Sequence, residues 1–376
     1  MISIWEKETF FAPQDIVIVG SGFVGLWSAF YLKKRNPRLH ITILDRGIIP
    51  TGASTRNAGF ACFGSLSEVV HDAKTMGTDK MLQLVELRHK GLERIQKHFG
   101  SEIDFDLCGG YELYEPGKID AAQLEEQIDY INTLFKSFTK TKKTYKIANE
   151  EISDFGFDNT EHLVKNRLEG YLHSGKLVQA LLHKVQGQGV QVMNQIEVTG
   201  FEKNNDGIEI FTKQGFSLRA AQLLLCTNAF TKSIVPEIDI VPARGQVLLT
   251  SPIKDLKWKG TFHSDEGFYY FRNLGSRILL GGARNKAFAE EETTSMTTSD
   301  FIQSALEQYL DEVILPNHKG KYSIEHRWAG IMAMGSEKMP IVKELQPDVF
   351  CAVRMSGMGV ALAPVVAQEV STMMRP

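Results

Sequence analysis

The polarity pattern of the chain is organised by residues 15–45, DIVIVGSGFVGLWSAFYLKKRNPRLHITILD. Residues 16–19 are a β-branched run without alternation, the pattern of a strand buried on both faces of a parallel sheet. Gly20-Ser21-Gly22-Phe23-Val24-Gly25 follows and opens into an apolar, helix-length segment over residues 26–32. Pro37 biases Asn36 away from helical backbone, so the helix ends near Lys33-Lys34-Arg35. A second β run, residues 40–44, ends on Asp45.

Further along, residues 76–99 carry apolar positions at helical spacing (Met81, Leu84, Val85, Leu92, Ile95), which predicts one long amphipathic helix. Residues 103–114 read as strand broken at Cys108-Gly109-Gly110, and residues 118–135 as helix. From residue 169 to 229 the rhythm is β-α-β: a helix over 177–185, a strand over 190–192, a hairpin of 198–203 with 208–212 around Asn204-Asn205-Asp206-Gly207, and a core strand over 223–225. VPARGQVLLT and GFYYFRNLGSRILLGG, within residues 241–282, alternate strands with polar turns and predict an antiparallel sheet outside the parallel one. A helix over 296–310, capped by Thr297, Thr298 or Ser299, follows. Residues 349–353 read as strand, Ser356-Gly357-Met358-Gly359 as turn, and residues 361–373 as helix.

The first segment carries a specific chemistry. Gly20 permits the tight turn, Gly22 lets backbone approach a pyrophosphate, and Gly25 lets helix and strand pack closely. A helix N-terminus presents free N–H groups and the positive end of its dipole to phosphates. Asp45, 20 residues after Gly25, is placed to accept the ribose hydroxyls. These parts in this order predict a dinucleotide site and leave NAD(P) and FAD both open. The small-residue loop that follows, with Ala53, Ser54, Thr55, Arg56, Asn57, Ala58 and Gly59, offers a second phosphate-contacting surface, which an extended FAD needs and NAD does not. The turn at Gly357 and Gly359, opening a helix, aims another helix N-terminus at a ligand.

Composition narrows the class. The chain has 376 residues, 43% apolar and 23% charged, with a net charge of −3. That is an ordinary globular composition with room for two domains, and no global field favours nucleic acid or an anionic membrane. The N-terminus lacks a basic region and cleavage site, and residues 16–32 are too short and glycine-rich for a membrane span. Cys62, Cys108, Cys226 and Cys351 are widely spaced in apolar or glycine-rich surroundings, which predicts buried reduced thiols, no metal site and a cytoplasmic setting.

Together, IVIVGSGFVGLWSAFYL…ITILD, TGASTRNAGF, EGYLHSGKLVQALLHKV, LLLCTNAF, VPARGQVLL, GFYYFRNLGSRILLGGARN, WAGIMAMGSEKMPIV and MSGMGVALAPVVAQEV resemble the FAD-dependent amine and amino-acid oxidoreductases of the D-amino-acid oxidase, glycine oxidase and sarcosine oxidase superfamily, with features of glutamylputrescine-type oxidases. The resemblance runs nearly end to end. It implies an α/β fold. A discontinuous Rossmann-type, glutathione-reductase-like FAD domain (residues 1–85, 146–229 and 326–376) carries a second, α+β substrate domain on a mixed, largely antiparallel sheet (residues 86–145 and 230–325). By similarity the cofactor contacts are Gly20, Ser21, Gly22, Phe23, Val24, Gly25, Asp45, Arg46, Ala53, Ser54, Thr55, Arg56, Asn57, Ala58, Gly59, Val198, Cys226, Thr227, Gly330, Gly357, Met358, Gly359 and Val360. No cysteine lies in WAGIMAMGSE, so the FAD is expected to be non-covalent.

The departures from the family pattern bear on substrate. The resemblance places a carboxylate-clamping arginine where this chain has Met332. It places lysines where this chain has Leu279 and Ala361. The implied reaction is oxidation of a C–N bond in a small amine or N-substituted amino acid, with oxygen or another acceptor completing the cycle. Tyr269, Tyr270 and Met332 are the expected pocket wall. Arg244, Arg272, Arg284 and Arg354 are the arginines available for an anion, with Arg272 and Arg284 best placed. The competing readings are an oxidase of free amino acids, a module acting on modified tRNA, a flavin-binding protein without turnover and an NAD-dependent enzyme.

Overall fold

The β-branched run at the head of the chain becomes the central strand of a parallel sheet in the computed structural model, which describes residues 2–256 and 258–375. Packing divides the chain into two units: residues 1–55, 174–243 and 331–376, and residues 56–173 and 244–330. Residues 56–85, 146–173 and 326–330 thus pack with the second unit, and residues 230–243 with the first, where the sequence reading had divided them otherwise.

In the first unit the strand Gln14–Val19 pairs in parallel with Ile41–Leu44 on one side and Ser217–Leu225 on the other. Gln191–Met193 extends the sheet beyond Ile41–Leu44, and Val349–Val353 extends it beyond Ser217–Leu225, both in parallel. Ile341–Gln346 closes that edge antiparallel, and the hairpin Val198–Asn204/Gly207–Thr212 hangs from Ser217–Leu225. The helix Phe23–Arg35 is buried continuously from Phe23 to Lys33. It is apolar all round because the helices Ser174–Gln186 and Gly359–Met373 cover it on top of the sheet. It ends where Pro37 requires: Asn36 is extended, with φ −140° and ψ 100°.

The second unit carries an eight-stranded sheet in the order Ile324–Met334, Val241–Thr250, Arg277–Gly282, Tyr269–Leu274, Thr261–Ser264, Gly110–Tyr114, His162–Asn166, Tyr145–Ile147. The neighbours Thr261–Ser264 and Gly110–Tyr114 run parallel, whereas the pairs from Val241–Thr250 to Thr261–Ser264 and from Gly110–Tyr114 to Tyr145–Ile147 are antiparallel. Period-2 alternation gives this sheet two different faces. On one, Tyr111, Leu113, Leu163, Leu248, Phe262, Tyr269, Phe271, Ile278 and Leu280 form the main core with the helix Asp300–Tyr309. Phe262 and Phe271 stack 4.8 Å apart in it. On the other, Val247, Leu249 and Leu279 pack with Ala58, Phe60, Tyr270 and Trp328.

Three local readings are refined. The long helix predicted over 76–99 is present as Thr78–Phe99; a further helix, Leu66–Met76, precedes it, and Gly77 at φ +88° separates the two. The helix of residues 296–310 begins at Asp300. Ser299 is its N-cap by backbone, but its hydroxyl accepts from Gln246 Nε2 at 2.9 Å instead of capping. All four cysteines are free, as expected; Cys108 is half-buried, not buried.

Glu112, Asn166, Glu169 and His263, with Leu66 and Val164, line a small cavity of the second unit. Glu169 accepts from the backbone N–H of Phe63 (2.8 Å) and Gly64 (3.1 Å). Burial, reinforced by the charges of Glu68 and Glu112, nevertheless pushes its carboxyl up to about 8. An unfolded carboxyl ionises near 4.5, the folded one near 8, so folding takes up a proton in between. The stability that this group contributes is therefore whole below about pH 4.5 and is lost as the pH rises to 8. Thermal melts should show Glu169→Gln gaining on the wild type by several degrees between pH 5 and pH 8.5; a constant difference across that range would refute the assignment.

Candidate functional site

In the first unit the sequence-predicted cradle is assembled at the carboxyl edge of the parallel sheet. Gly20 has φ +104°, and a Cβ there would stand 2.8 Å from the Cys226 carbonyl oxygen. The Gly20 N–H donates to Leu44 O (2.8 Å), and Cys226 N–H donates to Val19 O (2.8 Å). Cys226 and Thr227, which end the neighbouring strand, thus meet the glycine turn. A Cβ at Gly25 would run into the Gly20 carbonyl, and one at Gly22 would stand 2.9 Å from Ser54 Oγ. Gly20 and Gly25 are therefore required by close approach to backbone, whereas a side chain at Gly22 would have to displace the Ser54 hydroxyl.

Asp45 sits beside this turn. One carboxylate oxygen accepts from Ser21 N–H (2.8 Å) and Ser21 Oγ (2.6 Å), the other from Gly47 N–H (2.8 Å). A carboxylate has about four lone-pair sites, so Asp45 keeps acceptor capacity for ribose hydroxyls. Gln195 N–H donates to Gly47 O and Ile196 N–H to Asp45 O, which brings the chain leading into Val198 alongside the same corner. The Phe23–Arg35 helix has N-cap Gly22, which carries no side chain to occupy its first turn. These residues fit the phosphates and ribose of a dinucleotide.

Several of the residues expected at the cofactor also bond the chain itself. Ser54 Oγ accepts from Phe23 N–H at 2.9 Å, and Thr55 Oγ1 donates to Pro50 O at 2.5 Å, so both hydroxyls bond the chain. The Arg46 guanidinium lies 3.6 Å from the Phe230 ring centroid. At the same carboxyl edge, after the strand Val349–Val353, Gly357 (φ +82°) and Met358 lead into the helix Gly359–Met373, which includes Val360 and the buried Ala361. Met332 Sδ stands 3.5 Å from the place a Gly357 Cβ would take, so the turn and Met332 are neighbours.

In the second unit Arg56 donates to Ala329 O (3.0 Å), Trp328 Nε1 donates to Arg56 O (2.9 Å), and a Cβ on Gly330 would stand 3.0 Å from Arg56 Cβ. Asn57 Oδ1 accepts from Gly59 N–H (2.8 Å), and Gly59 has φ +72°. Ala58 O accepts from Arg272 Nε at 2.7 Å.

Register separates the two tyrosines that the sequence reading paired. Tyr270 faces Gly281, whose missing side chain leaves room for the phenol ring, and lies on the face of Leu279 and Val247. Burial pushes the Tyr270 hydroxyl up to about 12, so it is a proton donor at neutral pH. Tyr269 points to the opposite face and stacks on Tyr309 at 4.2 Å. It belongs to the core and not to a pocket wall shared with Tyr270, because adjacent residues of a strand face opposite ways.

The four arginines also separate. Arg244 is held by Glu291 through two bonds (2.8 and 2.6 Å) and by Thr297 O. Arg272 gives Nε to Ala58 O, reaches Leu172 O at 3.5 Å and lies over Tyr171 at 4.7 Å. Burial holds it down to about 10. Arg354 is paired with Asp239. The Arg284 guanidinium rests on Phe288 at 4.8 Å, and its side chain makes no hydrogen bond or ion pair to any described residue. Sequence reasoning missed Asp239, Ser336 and Glu291, which are ordinary surface-type residues in sequence and acquire roles only through their distant partners.

The family description "FAD dependent oxidoreductase" (DAO) matches residues 15–373. The chain is 23% identical over 382 residues to a probable oxidoreductase, OrdL, of Haemophilus influenzae, covering 95% of this chain and 82% of that protein. It is 21% identical over 376 residues to the gamma-glutamylputrescine oxidoreductase of Escherichia coli, covering 96% and 83%. Among solved structures, L-proline dehydrogenase from P. horikoshii superposes with TM-score 0.77 at 20% identity, over 96% of this chain and 93% of that one. Glycine oxidase from Geobacillus kaustophilus gives TM-score 0.77 at 16% identity, over 97% and 96%. At these identities the superpositions speak for the fold. The chain belongs to the family of FAD dependent oxidoreductases, and its cofactor is FAD.

Asp45→Ala should weaken FAD binding by about 1–3 kcal/mol, the size expected for a lost charged acceptor. Ser54→Ala, which removes an acceptor from one N–H of the first helical turn, should cost less. Fluorescence titration of FAD into deflavinated protein reads both; equal affinities of wild type and Asp45→Ala would refute the role of the carboxylate.

Proposed function

From membership in that family, we propose that this protein oxidises a C–N bond of a small amine or N-substituted amino acid, with FAD held non-covalently by Gly20, Gly22, Gly25 and Asp45. Relatives named as glycine oxidase, gamma-glutamylputrescine oxidoreductase and N-methyl-L-tryptophan oxidase support the amine and amino-acid class. The observation that carries the finer reading is the commitment of the arginines. Arg244, Arg272 and Arg354 give their donors to the chain itself, and Met332 stands where the resemblance places a carboxylate clamp. A carboxylate buried without a cation is very costly. Arg284 alone of the four is uncommitted among the described residues, so it is the group available for an anion on the substrate.

FAD held by these residues would supply the oxidising chemistry at the carbon next to nitrogen. The remaining work is positioning. Met332 offers a flexible, polarizable wall for an alkyl group. Tyr270 remains protonated and donates a hydrogen bond to a polar group of the substrate. A substrate bound as the neutral amine needs no general base in the chain. The imine product then hydrolyses in water, and oxygen or another acceptor completes the cycle.

Two measurements test this. Acid precipitation should leave the yellow colour in the supernatant; colour in the pellet would refute non-covalent FAD. Anaerobic stopped-flow reduction should be compared for matched pairs, an amino acid against its decarboxylated amine. The amine or the N-substituted compound should bleach the flavin faster than the free amino acid. Arg284→Ala should cost at least tenfold in kcat/KM for carboxylate-bearing substrates, about 1.4 kcal/mol, and little for the amine. A free amino acid that is preferred, with the preference unchanged in Arg284→Ala, would overturn the reading.

A further inference from the structure

Three residues of one short stretch adopt left-handed backbone: Arg354 (φ +62°), Ser356 (φ +46°) and Gly357 (φ +82°). Two of them are not glycine, and such outliers persist only where surrounding structure over-determines them. The stretch ends the strand Val349–Val353 and runs straight into the 15-residue helix Gly359–Met373, whose N-cap Met358 makes no side-chain cap bond.

What holds it is a polar clamp within the first unit. The Arg354 side chain, 7% exposed, pairs with the Asp239 carboxylate. It also donates Nε to Met339 O at 3.0 Å and reaches Asp239 O at 3.4 Å. The same carboxylate accepts from Ser336 Oγ (2.5 Å) and Ser336 N–H (3.1 Å). Gly335 is needed beside it, because a Cβ there would stand 2.7 Å from Arg354 Cδ. The clamp therefore joins three segments: residue 239, the 335–339 turn and the end of the last strand. Beyond it, Ser356 N–H donates to Ala333 O at 3.2 Å, which seats the turn on the strand that carries Met332.

We propose that Asp239, Ser336 and Arg354 are positioning residues that set the electron affinity of the flavin by fixing the turn at residues 356–359 and the helix N-terminus it opens. The proposal rests on the reading, implied by the family resemblance, that Gly357, Met358, Gly359 and Val360 contact the FAD at its flavin. Donors and the positive end of a helix dipole favour negative charge nearby. A flavin that has taken up electrons carries more negative charge, so N–H groups held at a fixed place stabilise its reduced state. Losing the clamp lets the strained turn relax toward ordinary backbone and withdraws that stabilisation.

The test uses the purified FAD-loaded full chain, normalised per bound FAD, and needs no substrate. Reduction is equilibrated against a reference dye, and the ratio of oxidised to reduced flavin is read. Asp239→Ala and Arg354→Met should each shift that ratio about tenfold toward oxidised, about 30 mV for a two-electron couple. Ser336→Ala and Arg354→Lys should shift it by a few fold in the same direction. A purely structural clamp would lower the melting temperature and leave the ratio alone; ratios within twofold of the wild type in all folded variants overturn the proposal. If Asp239→Ala and Arg354→Met do not fold, Ser336→Ala and Arg354→Lys decide. Met358→Glu places a negative charge in the turn itself. If it leaves the ratio unmoved, the turn does not face the flavin and both readings fall. If it shifts the ratio while the clamp variants do not, the clamp proposal alone falls.

Discussion

Asp45 closes the first β–α–β segment on itself, and the ligand-facing edge of the first unit depends on that closure. The Gly20–Gly25 turn has no side-chain room of its own: a Cβ at Gly20, Gly22 or Gly25 meets Cys226 O, Ser54 Oγ or Gly20 O. A turn so bare must be held from outside. Asp45 does this through Ser21 and Gly47, and Ser54 through the first N–H of the helix. Hydrogen bonds to a charged acceptor are worth about 1.5–3 kcal/mol each. That exceeds the effect of a turn residue's propensity and fixes donors in place before any ligand arrives.

The second unit works by strand parity. Successive residues of Tyr269–Leu274 alternate between an aromatic core and the face of Tyr270 and Arg272, so a single-residue step decides whether a tyrosine is structural or available. The same face carries Gly281 beneath the Tyr270 ring, where a larger residue would displace it. Arg272 shares that face and yet is spent on two carbonyls, one of them Ala58 O in the small-residue loop. The loop following Thr55 is therefore held by an arginine of the sheet, and Gly59 is required where Arg272 and Leu172 O close in.

Cations buried in this chain are mostly matched by its own groups, as desolvation demands. Arg88 meets Glu68 and Phe63 O, Arg244 meets Glu291, and Arg354 meets Asp239. The Arg354 pair sits at backbone that costs about 1–3 kcal/mol per non-glycine outlier. Strain of that size stands at the start of the C-terminal helix, beside Met332.

Local chemistry was legible in the sequence. The β-branched run, the three glycines, the helix ended by Pro37 and the acid at Asp45 each act over a few residues, and each stands where the pattern placed it. The hairpin around Asn204 and Gly207, the strand before Cys226 and the C-terminal helix are of the same kind. The helix Leu66–Met76 was not read, although the long helix after Gly77 was. Long-range pairing lay beyond the sequence altogether. Nothing near Arg354 in the chain announces Asp239, and nothing near Arg244 announces Glu291. Which arginine is spent and which is free, and which of Tyr269 and Tyr270 faces the core, depend on register and on partners tens to hundreds of residues away. Local propensity determines the elements and the dinucleotide turn, whereas the availability of a side chain is decided only when tertiary packing has desolvated some groups and paired the rest.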